Sequence, residues 1–189
     1  MKGVNIMKLV GALSVVSFIV GSLIPWESMA SAAKDQTEKE FFMFMPAQFT
    51  EEFCLAKNIF FEAGIDTLAG KAAVADVVLN RVEDPRYPDT VCGVVYQAYT
   101  HANGEPIRNK CQFSWFCDGK SDRIPTGAKN WIDSQNVAWE MMFEGKYHGI
   151  TEGSTHYHTP AVNPYWADSS GMDMSGVIGA HIFYKWGRK

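Results

Sequence analysis

Apolar side chains recur at helical spacing in three stretches of the chain. In the first, apolar residues from Phe53 to Phe60 follow one another every three or four positions, which is typical of a helix that buries one face. Thr50 precedes this stretch as a candidate N-cap, and Gly64 follows it as a residue type at which helices commonly end. The pattern predicts a first helix between these two residues.

Two further long helices and one short helix are predicted downstream. Asp66 is the candidate cap of the second long helix, which ends near residues 80–81. Thr90 caps a short helix, and Thr126 opens the third long helix, which ends at Gly145. Side-chain oxygens at these starts accept hydrogen bonds from the first backbone N–H groups of a helix.

The pattern changes after the third helix. Residues 155–159 and 179–184 alternate between polar and apolar side chains, which predicts two strands separated by a loop at 160–166. The polar residues 100–110 predict a loop, and residues 112–116 predict a short strand or tight loop. The fold class is therefore α+β, mainly helical, with a small β element late in the chain.

The first 33 residues have the pattern of a secretory signal peptide. Lys2 and Lys8 give a basic start, residues 9–24 are apolar, and small residues fill 28–33 in an A-x-A-like arrangement. The apolar run is shorter than the ~20 residues that span a bilayer, and Pro25 ends it. An uncleaved membrane anchor is the alternative interpretation.

The domain organisation follows from this signal. We predict a signal peptide at 1–33, a polar linker at 34–49 and one globular domain at 50–189, which is long enough for a single hydrophobic core. After cleavage of the signal we expect a monomer with no stable membrane insertion.

Composition narrows the class of partner. The formal net charge is −4 and no long basic run is present, so nucleic acid is not expected to bind, because phosphate recognition requires clustered Lys and Arg. Six Trp and an aromatic content of 13% fit either a well-filled core or a groove that stacks on sugars.

Four cysteines become informative in an exported protein, because disulfides persist in oxidising compartments. Four cysteines allow three pairings. We favour Cys111–Cys117, which closes a short loop, and Cys54–Cys92, which ties two predicted helices. Their spacing does not match paired C-x-x-C zinc sites, and four buried thiols are the alternative.

Glu62 is the first candidate for chemistry. It lies at the end of the first predicted helix, beside Phe60 and Phe61 and before Gly64. A carboxyl group against aromatic rings loses hydration, which raises its pKa toward the range that a general acid requires. A solvated glutamate at a helix end is the alternative, and spacing alone does not decide.

Three histidines form a second candidate group. His156 and His158 lie two residues apart, so a strand turns them to the same face, and with His181 and a carboxylate they are candidate zinc ligands. Lining a groove or covering the core is the alternative role. Several aspartates are candidates for a second carboxylate, and spacing selects none of them: Asp66, Asp84, Asp89, Asp118, Asp168 and Asp173.

Several ordered motifs resemble the spore cortex-lytic (SleB/CwlJ-type) cell wall hydrolase family. They occur in the family's order and cover about residues 52–186. The blocks are Ala56-Lys57-Asn58-Ile59-Phe60-Phe61-Glu62-Ala63, residues 70–82, Cys111-Gln112-Phe113-Ser114-Trp115 with Cys117-Asp118-Gly119, Thr155-His156-Tyr157-His158-Thr159 with Pro164-Tyr165-Trp166, and residues 178–184.

The resemblance implies a lysozyme-superfamily catalytic domain with Glu62 as the catalytic residue. Members of the family attack the bond between N-acetylmuramic acid and N-acetylglucosamine in peptidoglycan, and several are lytic transglycosylases. No cofactor or metal is expected. The candidate sugar-binding residues are Gln112, Ser114, Thr155, Tyr157 and Trp166.

Two other functions remain open on the residues alone. A zinc-dependent N-acetylmuramoyl-L-alanine amidase would use His156, His158 and His181, whereas a non-catalytic peptidoglycan-binding module would not need Glu62. An exported wall enzyme would act in the periplasm or cell wall, either for a bacterium or as an endolysin-like enzyme of a phage.

Overall fold

The computed structural model describes residues 47–125, 127–169 and 171–187. The predicted signal peptide at 1–33 and nearly all of the predicted linker lie outside this part. The helices are α1 (Ala47–Ala63), α2 (Leu68–Glu83), α3 (Val91–Val95) and α4 (Lys129–Glu144), with a 3₁₀ turn at Ser114–Cys117. The strands are β1 (Ala98–Thr100), β2 (Pro106–Cys111), β3 (His156–His158), β4 (Met172–Ile178) and β5 (His181–Trp186).

The helices surround a core in which α2 is central. Small residues such as Ala72 and Ala75 are fully buried on α2, so neighbouring helices approach it closely. Helix α1 packs against α2, α3 and α4 and buries Leu55 and Ile59 completely. The end of α1 is therefore held firmly between neighbouring elements.

The helix boundaries differ from the prediction at the starts of α1, α2 and α4. Helix α1 begins at Ala47, so Thr50 lies inside it and is not its cap. Helix α4 begins at Lys129, and the predicted opening residue, Thr126, lies outside the described residues. The predicted ends are confirmed at Ala63, just before Gly64, and at Gly145, whose positive φ of 66° suits glycine.

Asp66 was predicted as the cap of α2, and this prediction is wrong. Thr67 is the N-cap, because its Oγ1 accepts the N–H of Gly70 at 3.1 Å. Asp66 instead accepts the backbone N–H of Ala180 at 2.9 Å, in the turn between β4 and β5. A Cβ on Gly70 or on Gly179 would collide with this carboxylate, so both positions suit glycine.

The β structure is larger than predicted. Residues 100–110 were predicted as a loop, but β1 and β2 pair there as an antiparallel hairpin. The late sheet has three strands in the order β3–β5–β4, all antiparallel, and its strand β4 was not predicted. The predicted α+β class, mainly helical, is confirmed.

A buried carboxylate fixes the segment that leads into the sheet. Asp76 on α2 accepts hydrogen bonds from the backbone N–H groups of Gly149 and Thr151, from the Thr151 hydroxyl and from the Asn80 amide. Asn80 also donates to the carbonyl of Ser154 at 2.9 Å. These contacts tie α2 to the residues just before β3.

Both predicted disulfides are confirmed. Cys54–Cys92 joins α1 to α3 over a sequence separation of 38, and Cys111–Cys117 closes a separation of 6 beside the 3₁₀ turn. The first therefore restrains the unfolded chain over a much longer loop.

We predict that the two bridges contribute unequally to stability. Loop-closure entropy predicts a loss of about 4 kcal/mol in the free energy of unfolding for Cys54→Ala with Cys92→Ala, and about 2 kcal/mol for Cys111→Ala with Cys117→Ala. Urea unfolding of the two double variants measures both losses. A larger loss for the short loop would show that native-state packing, not loop closure, sets the contribution.

Candidate active site

Glu62 lies at the end of α1, where the helix reaches the surface. It is half-buried and follows Phe60 and Phe61, whose rings meet edge to face at a centroid distance of 5.1 Å. The helix ends at Ala63, and glycine is required at position 64, because a Cβ there would collide with the carbonyl oxygen of Phe60. The carboxyl group is thus set among rings at a fixed point of the fold.

Two opposing effects act on the proton of Glu62. Burial raises its pKa, whereas a hydrogen bond donated by the Tyr157 hydroxyl at 3.1 Å and the positive charge of Arg81 lower it. Burial is the largest of these effects, so the pKa of Glu62 is raised above the ordinary value for glutamate. Glu62 therefore keeps a proton to higher pH than an exposed glutamate does, as a general acid requires.

A cleft of about 330 Å³ opens at Glu62. Its aromatic wall is rigid, because Trp115 stacks on Phe61 at 4.7 Å and donates its indole N–H to the buried Asn58 at 3.0 Å. The cleft is lined by Phe61, Glu62, Ser114, Trp115, Asp118, Lys120, Ser121 and Asp122. Ser114, a predicted sugar-binding residue, lies in this lining.

Two aspartates share the cleft with Glu62. Asp118, one of the six candidate carboxylates, accepts the backbone N–H of Lys120 at 2.8 Å and pairs with its ammonium at 3.4 Å. These contacts lower the pKa of Asp118, whereas the pKa of Glu62 is raised, so there is a pH range in which Asp118 is ionised and Glu62 is protonated. Asp122 was not singled out from the sequence, although it follows the Cys111–Cys117 loop by only five residues.

Tyr157 is the predicted sugar-binding residue that contacts Glu62 directly. It pairs with Phe183 in the sheet, and its ring meets that of His181 at 5.0 Å. Burial raises the pKa of Tyr157 well above its ordinary value, so the hydroxyl stays protonated and donates a hydrogen bond to the carboxyl group of Glu62.

Trp166 lies on the other face of the same sheet. His156 and His158 flank Tyr157 on β3 and therefore point away from it, and Trp166 packs against both, at 5.1 and 5.7 Å. Its third ring contact is Tyr184, at 5.4 Å. The structure thus separates Trp166 from Glu62 by the thickness of the sheet.

The alternation of side chains along the strands also separates the three histidines. His181 shares a face with Tyr157 and Phe183, whereas His156 and His158 share the opposite face with Tyr184. They do not converge on one point, and within residues 47–125, 127–169 and 171–187 no group of three His, Cys, Asp or Glu side chains is arranged to hold a metal ion.

The two remaining candidates lie elsewhere. Gln112 is exposed and lines a separate depression of about 210 Å³ beside β1. Thr155 is buried, and its carbonyl oxygen accepts a hydrogen bond of 2.8 Å from Nε of Arg81. Thr155 therefore holds Arg81 rather than facing the cleft.

Sequence reasoning missed Arg81, whose charge acts on Glu62. A signal was present: Val74, Val77 and Val78 on α2 are fully buried, and Arg81 follows them at helical spacing. A cationic residue on the face of a helix that faces the core is predicted to be buried, and buried cations are uncommon without a specific role.

Comparison with known families decides the class of protein. The sequence profile of the family described as Cell Wall Hydrolase matches residues 66–184, more than half of the chain. The chain belongs to the cell wall hydrolase family. The family resemblance and the enzyme class predicted from the motifs are confirmed, and peptidoglycan is the substrate that this cell wall hydrolase acts on.

Two solved structures are similar to the cell wall hydrolase. The catalytic domain of the Bacillus cereus SleB protein matches with a TM-score of 0.53 and 22% identity, over 72% of this chain and 91% of that one. The catalytic domain of the germination-specific lytic transglycosylase SleB from Bacillus anthracis matches with a TM-score of 0.53 and 21% identity, over 75% and 98%. At these identities the matches show a shared fold. No functionally curated protein matches the chain.

We predict that Glu62→Gln changes how the stability of this cell wall hydrolase depends on pH. Glu62 holds its proton more tightly in the folded protein than in the unfolded chain, where the pKa of a glutamate is near 4.5. Wild-type stability therefore falls as pH rises from that value through the raised pKa of folded Glu62. The variant lacks this decline, so it becomes the more stable protein above this window.

Urea unfolding at a series of pH values measures the difference. Glu105→Gln, in the exposed turn of the β1–β2 hairpin, is the matched control and should follow the wild-type curve. Parallel curves for wild type and Glu62→Gln across the whole range would show that the proton of Glu62 is not held by the fold.

Proposed function

We propose that the protein cleaves the glycan strand of peptidoglycan at the bond between N-acetylmuramic acid and N-acetylglucosamine, with Glu62 as general acid. The observation that carries this proposal is a half-buried carboxyl group with a raised pKa that opens into a cleft walled by aromatic rings. Flat rings such as Trp115 suit the apolar faces of sugars, and Ser114 supplies a hydroxyl beside them.

The first step is proton transfer from Glu62 to the glycosidic oxygen. The bond from this oxygen to C1 of the muramic residue breaks, and positive charge develops at C1, as in other glycosidases. Glu62 becomes a carboxylate at the same moment. The hydrogen bond from the Tyr157 hydroxyl stabilises that carboxylate.

The second step closes a ring within the sugar. The 6-hydroxyl of the muramic residue attacks C1, and the Glu62 carboxylate takes the proton of that hydroxyl. The product carries a 1,6-anhydro end, no water is consumed, and no second carboxylate is needed as a nucleophile. The similar protein from Bacillus anthracis is described as a lytic transglycosylase, which supports this route.

Hydrolysis is the second candidate outcome, and one observation favours it. Asp118 and Asp122 line the same cleft as Glu62, and the pKa of Asp118 is lowered, so an ionised carboxylate is available to orient water. An inverting glycosidase uses such a pair, with the acid on one side of the sugar and the base on the other.

The protein is proposed to act after export, in the periplasm or cell wall. Two disulfides and no free cysteine among the described residues fit an oxidising compartment, and the predicted signal at 1–33 supplies the route. No helix in the described part of the chain is long and apolar enough to cross a bilayer. We propose that it acts as a monomer, with residues 50–189 as its catalytic domain.

Mass spectrometry of the soluble products tests the reaction. We expect the purified protein to release muropeptides with anhydromuramic ends, each one water lighter than the hydrolytic product. Glu62→Gln should reduce this release by about 10²- to 10⁴-fold, which is the usual contribution of a general acid. Asp118→Asn and Asp122→Asn should retain most of it, because the intramolecular route needs neither carboxylate.

Other products would point elsewhere. Reducing muramic ends that disappear in Glu62→Gln and in one aspartate variant would identify hydrolysis. Free stem peptides that Glu62→Gln still produces would reject Glu62 as the acid. Urea unfolding of each variant shows whether a loss of product reflects loss of the fold.

A further inference from the structure

Arg81 is a buried cation near the end of α2. The residue is only 5% exposed. Its guanidinium lies over the rings of Tyr87 and Phe113, at 5.3 and 5.2 Å from their centroids. Aromatic faces on both rings attract a cation, but they do not replace the water that a buried charge has lost. The site therefore holds a positive charge at considerable cost.

The hydrogen bonds of Arg81 are incomplete. Its Nε donates to the carbonyl oxygen of Thr155 at 2.8 Å, whereas its buried Nη1 has no hydrogen-bond partner in the described structure. No ion pair within 4.0 Å is found for it there either. The nearby Asp84 is paired with Arg86, so it does not serve as the counter-charge. A buried arginine without an ion pair is stabilised by any anion that forms close enough to act on its charge.

Glu62 meets this requirement. The charge of Arg81 acts on Glu62 and on Tyr157, and Tyr157 donates its hydroxyl to Glu62 at 3.1 Å. Thr155, which holds Arg81, is two residues before Tyr157 on the chain. Arg81 and the hydrogen-bond donor of Glu62 are thus positioned by the same short segment.

Other charged groups surround Glu62 and Tyr157. On the sheet side, His181 packs against Tyr157 and lies 3.6 Å from the carboxylate of Asp66. On the cleft side are Asp118, Lys120 and Asp122, and Lys120 neutralises Asp118 at 3.4 Å. Arg81 is the buried permanent charge in the set, so solvent screens it least.

We propose that Arg81 is a positioning residue whose buried positive charge stabilises the carboxylate form of Glu62. This inference rests on the proposed acid–base role of Glu62. Arg81 favours release of the proton to the glycosidic oxygen, and the resulting carboxylate neutralises the otherwise unpaired guanidinium. When the carboxylate takes the proton of the muramic 6-hydroxyl, the starting charges return.

The test compares two replacements of Arg81. Arg81→Gln removes the charge and Arg81→Lys supplies an ammonium group that carries the charge as long as it is protonated, while both lose the guanidinium geometry. Titration of the Glu62 side-chain carbon by NMR should move to higher pH in Arg81→Gln and stay near wild type in Arg81→Lys. The alkaline limb of kcat/KM should move with it, and the plateau should fall by about tenfold to a hundredfold in Arg81→Gln alone.

Lys110→Gln is the matched control. Lys110 is an exposed cation on β2 that lines the depression beside β1 and not the cleft at Glu62, and its replacement should leave the Glu62 titration and the kcat/KM profile unchanged. If Lys110→Gln moved the Glu62 titration as far as Arg81→Gln, a general field effect would replace the proposal.

Two results would overturn the role of Arg81. One is a folded Arg81→Gln whose Glu62 titrates as in wild type. The other, decisive even if Arg81→Gln does not fold, is a folded Arg81→Lys in which the new ammonium group stays protonated, as its nitrogen chemical shift shows, while the Glu62 titration moves as in a variant without the charge. The titration is read without substrate, so failure of the proposed reaction, shown by an active Glu62→Gln, is a separate result.

Discussion

The buried carboxylate of Asp76 is the contact on which the site depends. It gathers four hydrogen bonds from donors on α2 and on the segment around Thr151, and a carboxylate without such donors would not remain buried. These bonds fix where the chain enters β3, and so where Tyr157 stands. Asp76 therefore positions Tyr157, the hydrogen-bond donor of Glu62, although it contacts neither residue.

The rest of the site is built from rings and from one buried charge. Trp115, anchored on Asn58 and stacked on Phe61, forms a wall of the cleft at Glu62, and burial raises the pKa of Glu62. Tyr157 and Arg81 act in the opposite direction. A single carboxyl group that must give up a proton and then take one back needs both influences, because either one alone favours only one of its two states.

Local signals were enough for part of this arrangement. The end of α1 and the Cys111–Cys117 bridge depend on residues near in sequence, so helical spacing and cysteine spacing found them, and the Cys54–Cys92 bridge followed from the two predicted helices that it joins. The place of Trp166 could not be predicted from such local signals. Its side of the sheet depends on the register of β3 with β5, and a strand of three residues does not show which face its partner buries. Arg81 and Asp122 required tertiary neighbours in the same way.

Asp66 shows how one residue type serves two structures. An aspartate before a helix is a common cap, yet here Thr67 takes that role and Asp66 reaches the N–H of Ala180. The turn between β4 and β5 is thereby tied to the start of α2, while Asp76 ties the same helix to the start of β3. The strands β3 and β5 are adjacent, so two carboxylates on or next to α2 hold both sides of the strand pair that carries Tyr157 and His181. The helix thus orients the sheet face that meets Glu62.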